Sequence, residues 1–118
     1  MNVRKFVRSF GYAFKGIITA CAEQNFKSHL LSAGIVLIAG YFTDLSRIEW
    51  YIILLLIALM FALEMINTAI ERVVDLASPT IHPLAKQAKD LAAGAVLVFA
   101  IFSAIIGLLI FIPKWFGH

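Results

Sequence analysis

Four side chains carry the first chemical signal in this 118-residue chain: Glu64, Asn67, Glu71 and Asp75. On a helix turning about 100° per residue, with Glu64 at zero, the others fall at about 300°, 340° and 20°. They form one stripe directly after the apolar run Tyr51–Leu63. A water-exposed helix end, with Arg72 and Lys86 as counter-charges, accounts for Asp75. It does not account for Glu64, about three turns deeper, because an acid at membrane depth is costly unless it faces protein, a partner or water. Oxygen-rich stripes of this kind suit a divalent cation, since Mg²⁺ takes carboxylates together with substrate phosphates. One of the acids is then free to act as a base.

Further along, Lys89 and Asp90 precede Ala92, Ala93, Gly94 and Ala95. Small residues let helix backbones approach closely in a membrane, which would press Lys89 towards the stripe. A lysine beside carboxylates serves a phosphate. Glu23 is a second source of carboxylate. Together these groups fit phosphoryl transfer, which needs positioning, charge neutralisation and a base on the acceptor hydroxyl. The chain has no Gly-rich phosphate loop or Walker motif.

The elements that must position these groups are apolar helices. Hydrophobic residues make up 62% of the chain and charged ones 14%, with a mean hydropathy of +0.93. Soluble domains are nearer one half and one quarter. Leu91–Ile112 has no charged residue, which is length enough for a membrane-crossing helix of roughly 20 residues. The first apolar stretch begins near Leu30, too late for a signal peptide. A lone cysteine, Cys21, excludes an intrachain disulfide.

The expected architecture is an all-α integral membrane protein forming one domain over residues 1–118. An amphipathic surface helix covers about 1–25, with Val3, Phe6, Val7, Phe10, Phe14, Ile17 and Ile18 on one face. Three spans cover about 29–44, 48–75 and 84–112, the first with room to begin near Glu23. Ser78-Pro79 ends the second, Pro83 opens the third, and Pro113 stops it. Lys and Arg are concentrated before the first span and between the second and third. That bias puts the N-terminus and the stripe on the cytoplasmic side of a bacterial plasma membrane and the C-terminus outside.

At these residues the chain resembles the small prokaryotic diacylglycerol kinases. The pattern Glu64-x-x-Asn67-x-Ala69-Ile70-Glu71-x-x-x-Asp75 looks like the family signature. Ala88-Lys89-Asp90 followed by Ala95-Val96-Leu97 looks like its second block, and the likeness runs from Gly11-Tyr12 to the last span. The resemblance implies a homotrimeric bundle of three-span subunits that phosphorylates a lipid alcohol with Mg-ATP, in sites shared between subunits. It implies Glu64 as general base and Glu23 and Glu71 as metal ligands. Lys5, Tyr12, Asn67, Asp75, His82, Lys89 and Asp90, with those two ligands, would surround the nucleotide. Lys27, His29 and Ala93 would join Glu64 on the lipid side.

Asn25-Phe26-Lys27-x-His29, His82-Pro83-Leu84-Ala85-Lys86 and Phe111-Ile112-Pro113-Lys114 resemble the Gram-positive branch, whose acceptor is undecaprenol. Diacylglycerol is the alternative acceptor. No nucleic-acid partner is expected. A cation-transporter subunit or a non-enzymatic assembly partner is the competing class, but a cation path gains nothing from Lys89 beside its ligands.

Overall fold

The computed structural model describes residues 2–117, which form four helices and no strand. They are α1 (Val3–Cys21), α2 (Gln24–Tyr41), α3 (Arg47–Ala77) and α4 (Pro83–Phe116). Each start has a local cause. Asn2 Oδ1 accepts from the Lys5 N–H at 3.2 Å. Ser46 and Glu49 form a capping box, each side chain accepting from the other's backbone N–H. His82 Nδ1 accepts from the Leu84 N–H at 3.1 Å, with Pro83 at the first position of α4.

Two boundaries differ from the sequence expectation. The first apolar helix occupies Gln24–Tyr41 rather than 29–44. At its start the backbone of Glu23 serves as N-cap, and at its end Thr43 turns back to donate its hydroxyl to the Ala39 carbonyl at 2.6 Å. Pro113 does not stop α4, which continues to Phe116. A proline removes only its own N–H from the ladder, and the turn beyond it is held by side chains. Lys114 Nζ donates to the Asp44 carbonyl at 2.9 Å and lies 3.1 Å from Glu49. Trp115 Nε1 donates to Thr43 Oγ1 at 2.9 Å. The helix ends at Gly117, whose φ of 75° suits glycine.

α3 is the hub. α4 packs along it, α2 packs on it from another side, and α1 touches both α2 and α3. The backbones of α2 and α4 do not approach each other among the described residues. Between them runs an apolar groove of about 570 Å³, lined from His29 at one end to Trp115 at the other.

The chain does not bury itself. Its radius of gyration is 17.8 Å, against about 13–14 Å for a compact globular chain of this length. The buried hydrophobics are Ala20, Phe26, Ala33, Ile53, Ala92 and Phe111, whereas large apolar side chains stand exposed along every helix. On α1 the apolar face from Val3 to Ile18 is uncovered. α3 and α4 are long and apolar enough to cross a membrane. α2 falls short of them in apolar character because its first two turns carry Gln24, Asn25, Lys27 and His29.

Gly40 fixes the α2–α3 corner. A Cβ there would lie 2.7 Å from the Trp50 ring and 3.2 Å from Leu45 Cδ1. Gly40→Ala should therefore destabilise the protein by about 1–3 kcal/mol, the usual cost of overpacking. Thermal unfolding in detergent checks this, and an unchanged midpoint would show that the corner is loose.

Candidate active site

The acidic stripe lies on the half of α3 nearest its C-terminal end, and the structure buries its two deepest members. Glu64 is 3% exposed and Asn67 5%. Both sit amid apolar residues because α3 continues as a regular helix from the uncharged run into the stripe. Asn67 Nδ2 donates to Glu71 Oε1 at 3.4 Å, one turn on, while Asn67 Oδ1 has no protein partner. Two oxygen-bearing side chains on successive turns thus hold one acceptor in reserve.

Each neighbouring helix contributes an ionisable partner to this face. From α2, His29 Nε2 lies 3.4 Å from Glu64 Oε2. From α4, Lys89 Nζ lies 2.5 Å from Asp75 Oδ1. At the α1–α2 junction, Glu23 accepts a hydrogen bond from Arg72. The counter-charges considered from the sequence are thereby rearranged. Asp75 pairs with Lys89, Arg72 pairs with Glu23, and Lys86 pairs with Asp90 at 2.6 Å, one turn along α4. The last pair is intrahelical, and it follows from the i,i+4 spacing.

The remaining expected site residues are placed less centrally. Lys5 and Tyr12 lie on α1 with Asn2, Arg4, Arg8 and Ser9, around a separate hollow of about 320 Å³. Tyr12 is 62% exposed, and no hydrogen bond or ion pair joins either residue to the stripe among the described residues. His82 caps α4. Lys27 and Ala93 are exposed. The residue that sequence reasoning misplaced is Arg72. Its partner is 49 positions away, and no local spacing signals such a contact.

No cluster of three or more acids, histidines or cysteines among the described residues could hold a metal unaided. The donor set does fit a hard cation that arrives on nucleotide phosphates. Such an ion needs only one or two protein carboxylates. Asn67 Oδ1 and Glu71 supply adjacent oxygens, and Glu23 would have to exchange its arginine partner for the ion.

The unpaired Asn67 oxygen has a consequence for stability. A buried acceptor without a partner costs about 1–3 kcal/mol. Asn67→Leu, of similar size, should leave the unfolding midpoint unchanged or raised while Mg-ATP binding is lost. Calorimetry and nucleotide titration on one preparation separate the two effects. A marked loss of stability would make Asn67 a structural residue.

Comparison with known proteins identifies the family. The sequence profile described as prokaryotic diacylglycerol kinase matches residues 11–111. Undecaprenol kinase of Bacillus subtilis is 58% identical over 96% of this chain and 93% of its own length. Diacylglycerol kinase of Synechocystis is 42% identical over 89% of this chain and 61% of its own length. Diacylglycerol kinase of Escherichia coli K12 is 29% identical over 96% and 93%. The buried stripe on α3 and the lysine that α4 lays against it fall within the matched region, and the chain belongs to the prokaryotic diacylglycerol kinase family.

Proposed function

We propose that this protein is an ATP-dependent lipid kinase that transfers the γ-phosphoryl group of Mg-ATP to a membrane lipid alcohol, with undecaprenol the preferred acceptor. The observation that carries the reading is the contact between Lys89 and Asp75. It sets a cation beside a stripe whose other oxygen-bearing members, Glu71 and Asn67, suit a metal. That combination serves a metal-nucleotide and does not serve a bare cation path. The preference for undecaprenol draws on the 58% identity to the Bacillus subtilis enzyme of that name, and diacylglycerol is the second acceptor because other relatives bear that name.

In this reading α2, α3 and α4 all cross the membrane. α1 lies in the interface with Arg4, Lys5, Arg8 and Lys15 among anionic headgroups. The N-terminus and stripe face the cytoplasm and the C-terminus faces outward. The subunits assemble as a trimer, which covers apolar faces left open in one chain and brings Lys5 and Tyr12 of α1 to a stripe they do not reach within it.

The roles follow depth. Glu64 is the deepest acid, so it meets the hydroxyl of a lipid whose tail stays in the bilayer. It accepts the hydroxyl proton as the lipid oxygen attacks the γ-phosphorus. The bond from that phosphorus to the β–γ bridging oxygen breaks, and ADP leaves. Glu71 and Glu23 would hold a magnesium ion that arrives with the phosphates, and that ion would supply charge neutralisation for the transferring group. Lys89 neutralises phosphate directly. Asp75 orients Lys89, and Asn67, His82 and Asp90 complete the nucleotide side.

Two substitutions separate the sides. Glu64→Gln should lower lipid phosphorylation about 10²–10⁴-fold, the range for a general base, with Mg-ATP binding nearly intact. Glu71→Gln should weaken Mg-ATP binding and leave assembly unchanged. Rates on undecaprenol and diacylglycerol, offered separately to the wild type, decide the acceptor. If Glu64→Gln loses nucleotide affinity in step with rate, the division by depth is wrong.

A further inference from the structure

The proton that Glu64 collects has no direct way out. The residue is 3% exposed, and it must shed that proton before each new turnover. Among the described residues, the ion-pair partner within 4.0 Å of it is His29 of α2, with Nε2 3.4 Å from Glu64 Oε2. The His29 side chain is 21% exposed. It also lines the end of the 570 Å³ groove between α2 and α4.

We infer that His29 is a proton relay for the lipid kinase reaction, taking from Glu64 the proton of the acceptor hydroxyl and passing it to water; this rests on Glu64 being the base. Nε2 of His29 accepts the proton from Glu64, which returns to carboxylate. The imidazolium then releases a proton from Nδ1 to solvent, and a tautomeric exchange restores the ring. No electron pair leaves either residue, and the net change is one proton moved from lipid hydroxyl to water. The 3.4 Å separation is long for a transfer, as catalytic contacts are before substrate closes the site.

The surroundings favour this use over a static ion pair. Facing the ring from α3, Glu64 is the charged group. From α4 the groove offers Ala100, Ser103, Ala104 and Gly107, none of them titratable. No second carboxylate among the described residues lies within 4.0 Å of the His29 nitrogens. Histidine is the side chain whose ordinary pKa lets it both take and give a proton near neutral pH. His29 touches Glu64 and acts through it, so it is a positioning and relay residue and not a catalytic one.

The test uses His29→Gln and His29→Ala in the purified protein, with Glu64→Gln as reference. Glutamine keeps an N–H donor and the approximate volume but cannot take up and release a proton near neutral pH. Both His29 variants should phosphorylate lipid at least about tenfold more slowly, at the weak end of proton-transfer effects, with unchanged Mg-ATP binding. Added imidazole should restore His29→Ala and not His29→Gln, because the alanine variant opens a space continuous with the groove. A wild-type rate in His29→Gln overturns the relay, as does a slow His29→Ala that binds Mg-ATP normally and does not respond to imidazole. If Glu64→Gln itself stays active, the base assignment has failed, and that outcome is distinct from a failure at His29. Should His29→Ala not fold, the rate of His29→Gln decides alone.

Discussion

Taking an ionised carboxylate out of water costs several kcal/mol even after the protein relaxes around it. Glu64 is 3% exposed, just past the midpoint of the 31-residue apolar helix α3. Much of the arrangement around it meets that cost. His29 is brought beside it by α2, so α2 must run antiparallel to α3 and close enough to touch. This requirement explains why the first turns of α2 are polar in a chain that is otherwise short of polar residues. It also explains why the corner at the far end is tight: Gly40 lets Trp50 approach so that α2 and α3 stay together over their length.

The same logic organises the end of the molecule nearest Asp75. Arg72 reaches Glu23, and Lys89 reaches Asp75. With His29 beside Glu64, three pairs tie α3 to the α1–α2 junction, to α2 and to α4, and each joins separate elements. Two of these pairs are largely exposed, where ion pairs contribute little to stability. Their value lies in register. They fix which turn of each helix faces the stripe, and they break at low cost when a charged ligand competes for one partner. A stable, dry pair would hold the fold better and serve a phosphate worse.

Much of this was legible in the sequence because helical periodicity is local. The stripe, the surface helix, the turn at Ser78-Pro79 and the start at Pro83 all follow from spacing within a few residues. The approach of Lys89 to the stripe was legible too, through the small residues after it. What stayed hidden was non-local or compensated. Arg72 has two acids within a few positions, yet it pairs with Glu23. Pro113 carries a stop signal that side chains of Lys114 and Trp115 override from the next turn. The open gap between α2 and α4 has no signature, since each helix is apolar enough to have packed on the other.

That gap bears on how freely the helices can move. Helices α2 and α4, whose backbones meet through α3, can change their opening without breaking a large core, since the buried hydrophobics are few and half of them are alanines. Lys114, Trp115 and Thr43 close the groove at one end with hydrogen bonds of 2.9 Å. At the other end it is bounded by His29, whose contact with Glu64 is longer. One end is therefore tied by hydrogen bonds and the other bounded by a longer contact. Motion of α2 against α4 about the Trp115 end would be largest at His29. Buried Glu64 is thus placed where a small rotation would change its surroundings most, and the hydrogen bonds of Lys114 and Trp115 at the far end hold the register of the helices.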